Sequence, residues 1–117
     1  MEDFTRLSEV YDVFFSKVTD DLYMELTYED TVKMVKELLD SALPWFEFPR
    51  QSLSYSKHQF EYIDKETKML VVEEFDAFDN KLTQEEINII ATYMVVEWLG
   101  QQLASVELTR MKYSGAD

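Results

Sequence analysis

The stretch "TQEEINIIATYMVVEWLGQQL", Thr83 to Leu103, decides how this chain folds. It opens as a helix should. Thr83 and Glu86 have the spacing of a capping box, in which the hydroxyl takes the amide of Glu86 and the carboxylate returns to the amide of Thr83. Glu85 and Glu86 also suit the positive end of a helix dipole. From Ile87 to Leu99 only Asn88, Thr92 and Glu97 are polar. Asn88 and Thr92 are neighbours at four-residue spacing, and Glu97 lies nearly opposite them at about 100° per residue. The helix therefore has no single polar face. Gly100 weakens it by about 1 kcal/mol relative to Ala, yet "QQLASVELTRMKY" resumes the pattern through Leu103, Val106 and Met111. The sequence predicts one long helix from Thr83 to about Lys112, with Gly100 as the place for a kink.

At 1.5 Å per residue such a helix is ~40 Å long. Two shorter helices and a loop can cover its middle, around Ile90 and Met94, but not all of its sides. We therefore expect a core at the middle and subunit contacts towards the ends. Leu103, Val106, Leu108 and Met111 would each forgo roughly 1–3 kcal/mol if left in water. Arg110 and Lys112 are two of only 11 bases, at a helix end where cations are favoured. These six residues, with Tyr113 and Glu97, are the candidate interface. Glu97 stands in the apolar run "VVEWL", and a buried carboxylate is costly unless paired or hydrogen-bonded. It reaches the surface, pairs with a base of its own chain, or makes an ion pair across a subunit boundary. Phe14, Phe15, Tyr93 and Trp98 read as core aromatics rather than a ligand cage.

Working back towards the N-terminus, "TYEDTVKMVKELLDSALP" is a second helix. Thr27 is its N-cap, with Asp30 three residues on as an acidic variant of the capping box. Val32, Val35, Leu39 and Ala42 form one stripe, expected to meet Ile90 and Met94. Pro44 ends the helix by forcing its predecessor out of helical geometry. A first helix spans about Thr5 to Val18, with Leu7, Val10, Tyr11, Phe14 and Val18 on one face. Asp20 and Asp21 read as loop or cap residues between the two. The middle, residues 45–81, has no helical period. "FEYID" and "MLVVEEF" look extended, and "KETK" can turn a hairpin between Phe60 and Phe75. Trp45, Phe46, Phe48, Tyr55, Phe60 and Tyr62 read as a loop packed down on the helices. The expected fold is a single domain over residues 1–117, mostly α: a small helical bundle with a long C-terminal helix and room for a β-hairpin in the middle.

Composition bounds the function. Hydrophobic residues at 46% argue against disorder despite a net charge of −13. The absence of cysteine excludes disulfides, thiolate metal sites and a cysteine nucleophile, and suits a reducing cytoplasm. The N-terminal residues do not read as a signal peptide, and no apolar run approaches the ~20 residues of a membrane span. Twenty-four acids against 11 bases make phosphate-backbone binding and anionic membranes unexpected, because phosphate affinity comes from Lys and Arg. His58, the single histidine, reads as a surface residue. "FDAFDNK" lacks the alternating acids and the glycine of a calcium loop. The adjacent acids Glu73–Glu74 and Glu85–Glu86 do not face each other if helical. There is no GxSxG, phosphate-binding glycine loop or HExxH. The reading is not an enzyme, with no cofactor and no metal.

Leu82 to Asp117, "LTQEEINIIATYMVVEWLGQQLASVELTRMKYSGAD", resembles the C-terminal half of small head–tail connector (adaptor) proteins of tailed bacteriophages that infect Gram-positive bacteria. The resemblance is carried by the Leu82–Thr83 start, the glutamates at 85 and 86, the centre from Met94 to Leu99, and the ending from Met111 to Asp117. Val10 to Phe46 resembles the first two helices of that family and their linker. It implies a mostly helical fold and a homo-oligomeric ring of about twelve subunits. It also implies a portal protein above the ring, a stopper or tail-completion protein below, and a place in the virion neck after assembly in the host cytoplasm. DNA would pass through without specific binding, helped by like charge on the wall. A further segment after Asp117 is expected on the same ground, as is a hairpin shorter than the one read here. The rival reading, from the charge alone, is a small acidic DNA mimic or inhibitor that binds a basic host protein.

Overall fold

Capping chemistry and apolar spacing place the helices close to where the sequence puts them. The computed structural model describes residues 3–18 and 27–114, with side chains as far as Lys112. Helix α1 spans Leu7–Lys17, α2 spans Tyr28–Ala42, and α3 spans Gln84–Ser114. The α2 cap is the predicted one, with the Asp30 amide donating to Thr27 Oγ1 at 3.1 Å. At α3 both halves of the capping box form. The Thr83 amide donates to Glu86 Oε1 at 2.9 Å and the Glu86 amide to Thr83 Oγ1 at 3.1 Å. A 3-10 turn, Leu43–Trp45, follows α2 with Pro44 in it. Helix α3 runs through Gly100 unbroken. Asp20 and Asp21 lie outside the described residues.

The sheet overturns the expectation of a mostly α bundle. Strand β1 is Thr5–Arg6, β2 is Tyr55–Ile63 and β3 is Leu70–Phe78, in the antiparallel order β1-β3-β2. The described chain is thus a mixed α/β fold of three helices and a three-stranded sheet. The first helix starts at Leu7, not Thr5, because Thr5 is committed elsewhere. Its backbone pairs with Phe78, and its buried hydroxyl accepts the amide of Leu82 at 2.8 Å. Arg6 stays extended, and its amide is taken by Glu9 Oε2 at 2.9 Å. The hairpin is longer than Phe60 to Phe75. Nine facing pairs run from Tyr55↔Phe78 to Ile63↔Leu70. Its turn forms where "KETK" puts it. The Asp64 amide donates to the Met69 carbonyl at 3.0 Å, and Lys68 takes the left-handed φ of 57°.

The core sits on one face of α3. Leu7, Val10 and Phe14 of α1, Val35, Leu38 and Leu39 of α2, and Ile90 and Met94 of α3 share one buried cluster. Phe78 closes it from the base of the sheet. Val32 is the exception in the predicted α2 stripe, at 42% exposed. The expected aromatic loop is also corrected. Tyr55, Phe60 and Tyr62 belong to β2, Trp45 and Phe48 are exposed, and of the six only Phe46 and Tyr55 pack against the cluster.

Candidate functional site

Trp98 is the last residue of α3 buried in its own domain among those described. The helix continues to Ser114, about 24 Å further at 1.5 Å per residue. On this projecting part Leu103, Val106, Leu108 and Met111 are each between 62% and 68% exposed. At 100° per residue, Leu103 and Val106 share a face, while Leu108 and Met111 point to other sides. The arm is therefore apolar on more than one face. No element of the described chain covers it.

Charge follows the same division. Residues 101–114 carry one acid, Glu107, and two bases, Arg110 and Lys112, in a chain whose net charge is −13. Arg110 Nη1 lies 3.8 Å from Glu107 Oε1 one helical turn away. Both are exposed, and such pairs add little stability. Lys112 is exposed, and the side chain of Tyr113 lies outside the described residues. The structure thus gathers Leu103, Val106, Leu108, Arg110, Met111 and Lys112 on one arm and sets Glu97 apart. Glu97 Oε1 accepts the indole N–H of Trp45 at 2.6 Å. The bond ties the end of α2 to α3 within one chain. An indole N–H donates without carrying charge, so it satisfies the carboxylate with no ion pair.

Two apolar surfaces escaped the sequence reading. Val96 and Leu99, 59% and 53% exposed, lie on the side of α3 away from the core. Their spacing of three, then four to Leu103, was the signal available. The outer half of the hairpin is the other surface. Phe60, Tyr62, Ile63, Leu70 and Val72 are exposed there, with the Phe60 and Tyr62 rings 5.8 Å apart.

The remaining polar clusters join elements to one another. His58 is half-buried rather than free on the surface. Its Nε2 lies 3.1 Å from Asp79 Oδ1, and its ring stacks on Phe75 at 6.1 Å. The Ser56 hydroxyl, and then His58, hold the Asp79 carboxyl below the usual carboxylate range. Tyr55 donates its hydroxyl to Asp40, which pushes its pKa up to about 12. Burial drives Tyr11 upward as well. A shallow groove of about 390 Å³ runs beside Glu85, Asn88, Ile89, Thr92 and Tyr93. Among the described residues no three His, Asp or Glu converge as metal ligands would, and no helix is long and apolar enough to cross a membrane. The chain matches no family model, no curated protein and no solved structure.

Proposed function

We propose that this chain is a structural subunit of a tailed-phage neck. It forms a ring that joins the portal to the stopper or tail and lets DNA pass. The role is structural rather than catalytic. One observation carries the reading: α3 leaves its own domain with exposed apolar residues on more than one face. A surface of that kind is covered in the working state by another chain. The resemblance of Leu82–Asp117 and Val10–Phe46 to head–tail connector proteins supplies the kind of assembly, its position below the portal, and the virion as its location. The excess of acids fits a conduit wall that repels passing DNA.

The test is to change Val106 and Met111 together to Ser. Both are exposed, so circular dichroism and melting should stay as in the parent, while incorporation onto portal-bearing particles falls sharply. Negative-stain images of the parent mixed with portal should show rings. Normal incorporation of the double variant, or its unfolding, would overturn the assignment.

A further inference from the structure

One face of the hairpin is covered at its base and bare towards its tip. Facing residues of an antiparallel pair share a face, so the pairs His58↔Phe75, Phe60↔Glu73 and Tyr62↔Val71 line up on one side. At the base this side is covered by its own chain. The Phe4 ring lies 5.1 Å from His58 and 5.4 Å from Phe75, and the Arg6 guanidinium stands 3.9 Å over the Phe75 ring. The cover stops there. Further out Phe60 and Tyr62 are 50% and 44% exposed, with their rings 5.8 Å apart. The base shows what this face accepts: an apolar group together with a guanidinium over aromatic rings. Helix α3 offers a surface of that kind. Opposite its buried stripe through Ile90, Met94 and Trp98 runs an exposed one, Val96, Leu99, Leu103 and Val106, about 150° away at 100° per residue. Arg110, four residues after Val106, continues it.

We infer that the Leu103, Val106 and Arg110 stripe of one copy lies on the Phe60 and Tyr62 face of the next copy's hairpin, head to tail around the ring. The inference rests on the reading that the projecting helix is an interface of a ring, and it names what that helix meets. In a ring each contact joins two different patches, so the arm needs a receiver elsewhere on the chain. Within one chain both surfaces are exposed, so neither covers the other. Charge selects the pairing. Residues 60–73 of the hairpin carry four acids and two bases, and residues 101–114 of the arm carry one acid and two bases. An arm and a hairpin therefore attract, whereas two arms or two hairpins repel. Glu73, which faces Phe60 across the strands, gives the guanidinium its target. Its Oε1 lies 3.8 Å from Arg6, and a carboxylate accepts from more than one donor. The contact of Arg110 with Glu107 is exposed and holds it only weakly. Each copy gives one arm and receives one, so the contact repeats in a single direction until the rotation returns to the first copy.

The chain has no cysteine, so thiol cross-linking can be read without background. Y62C and V106C proteins are mixed equally at about 100 µM, a range that detects weak association, and treated with a short bis-maleimide linker. The mixture should give two-chain products and nothing larger, and each variant alone should stay uncross-linked. The Y62C/V106C double variant should give a ladder of three, four and more chains. E73K in the Y62C chain and R110E in the V106C chain should each cut the yield about tenfold, and the two together should restore it. Circular dichroism and melting should stay as in the parent. No product in the mixture, a product from either single variant alone, or a double variant that stops at two chains would each overturn the contact. Assembly on portal-bearing particles separates this inference from the reading beneath it. If V106S/M111S fails to assemble while F60S/Y62S assembles normally, the arm is an interface and the hairpin is not its receiver. If V106S/M111S assembles normally, the interface reading fails as well.

Discussion

Thr5 is a single side chain that holds two ends of the fold together. Its hydroxyl accepts the amide of Leu82, 77 residues away, at a fully buried position. Thr5→Val keeps the shape and leaves that amide without an acceptor, which should cost about 1–3 kcal/mol in urea unfolding; an unchanged midpoint would show that the bond contributes nothing. Tyr55 makes a pH-dependent contribution. The bond to Asp40 raises its folded pKa from the model-compound 10.0 to about 12, so the folded state holds this proton more tightly than the unfolded one. The stability it adds is fully present below pH 10 and is lost as pH rises through about 12. Tyr55→Phe should therefore lower the melting temperature at neutral pH and narrow its gap to the parent between pH 10 and 12; a gap constant with pH would refute the linkage. Legibility at this scale depends on sequence distance. The Thr83–Glu86 cap could be read because both partners lie within one turn. The Thr5–Leu82 and Trp45–Glu97 bonds could not, because they span 77 and 52 residues and no local pattern encodes them.

Elements became legible in proportion to how one-sidedly they are buried. Helix α2 has one core face, and its stripe was readable except at Val32, where the helix end leaves the cluster. Leu39 is fully buried beside Ile90 and Met94, so Leu39→Ala should cost about 2–5 kcal/mol; an unchanged melting temperature would refute the packing. The hairpin gave a weaker signal because its outer half is exposed on both faces, which removes the alternation of a half-buried strand. Its β-branched and aromatic residues remained as the clue, enough to place the turn but not the ends. Exposure also sets the expected response there. Ile63 and Leu70 face each other at the tip, both exposed. Changing both to Thr should alter stability by no more than about 0.5 kcal/mol each, read from the thermal midpoint; a large loss would mean that the tip is buried in the folded chain. Strand β1 was illegible for another reason: two residues are too few to show any period.

At the scale of the molecule, extents of 68 × 38 × 21 Å describe a domain with two projections, the hairpin and the end of α3. The two stripes of α3 explain why its periodicity was hard to read. Set nearly opposite each other, they cancel any preference for one side and leave only an excess of apolar residues. That excess was visible in the sequence, but its division into a core stripe and an exposed outer stripe required knowing where α1 and α2 sit. The proposed role as a DNA conduit is tested at the same scale. A DNA conduit must not hold the genome, and affinity for duplex DNA comes from phosphate contacts by clustered Lys and Arg. Here the bases are few and several face acids. Arg6 lies 3.8 Å from Glu73, Lys36 3.8 Å from Asp76, and Arg110 3.8 Å from Glu107. The arm, at net +1, holds only Arg110 and Lys112 as bases within the −13 chain. The expected outcome is no gel shift of duplex DNA at physiological salt and micromolar protein, alone or in rings. A shift that weakens as salt rises would reveal phosphate contacts that this charge distribution does not provide. The chain would then be a DNA-binding protein, and the account of its acids as a repelling wall would be lost.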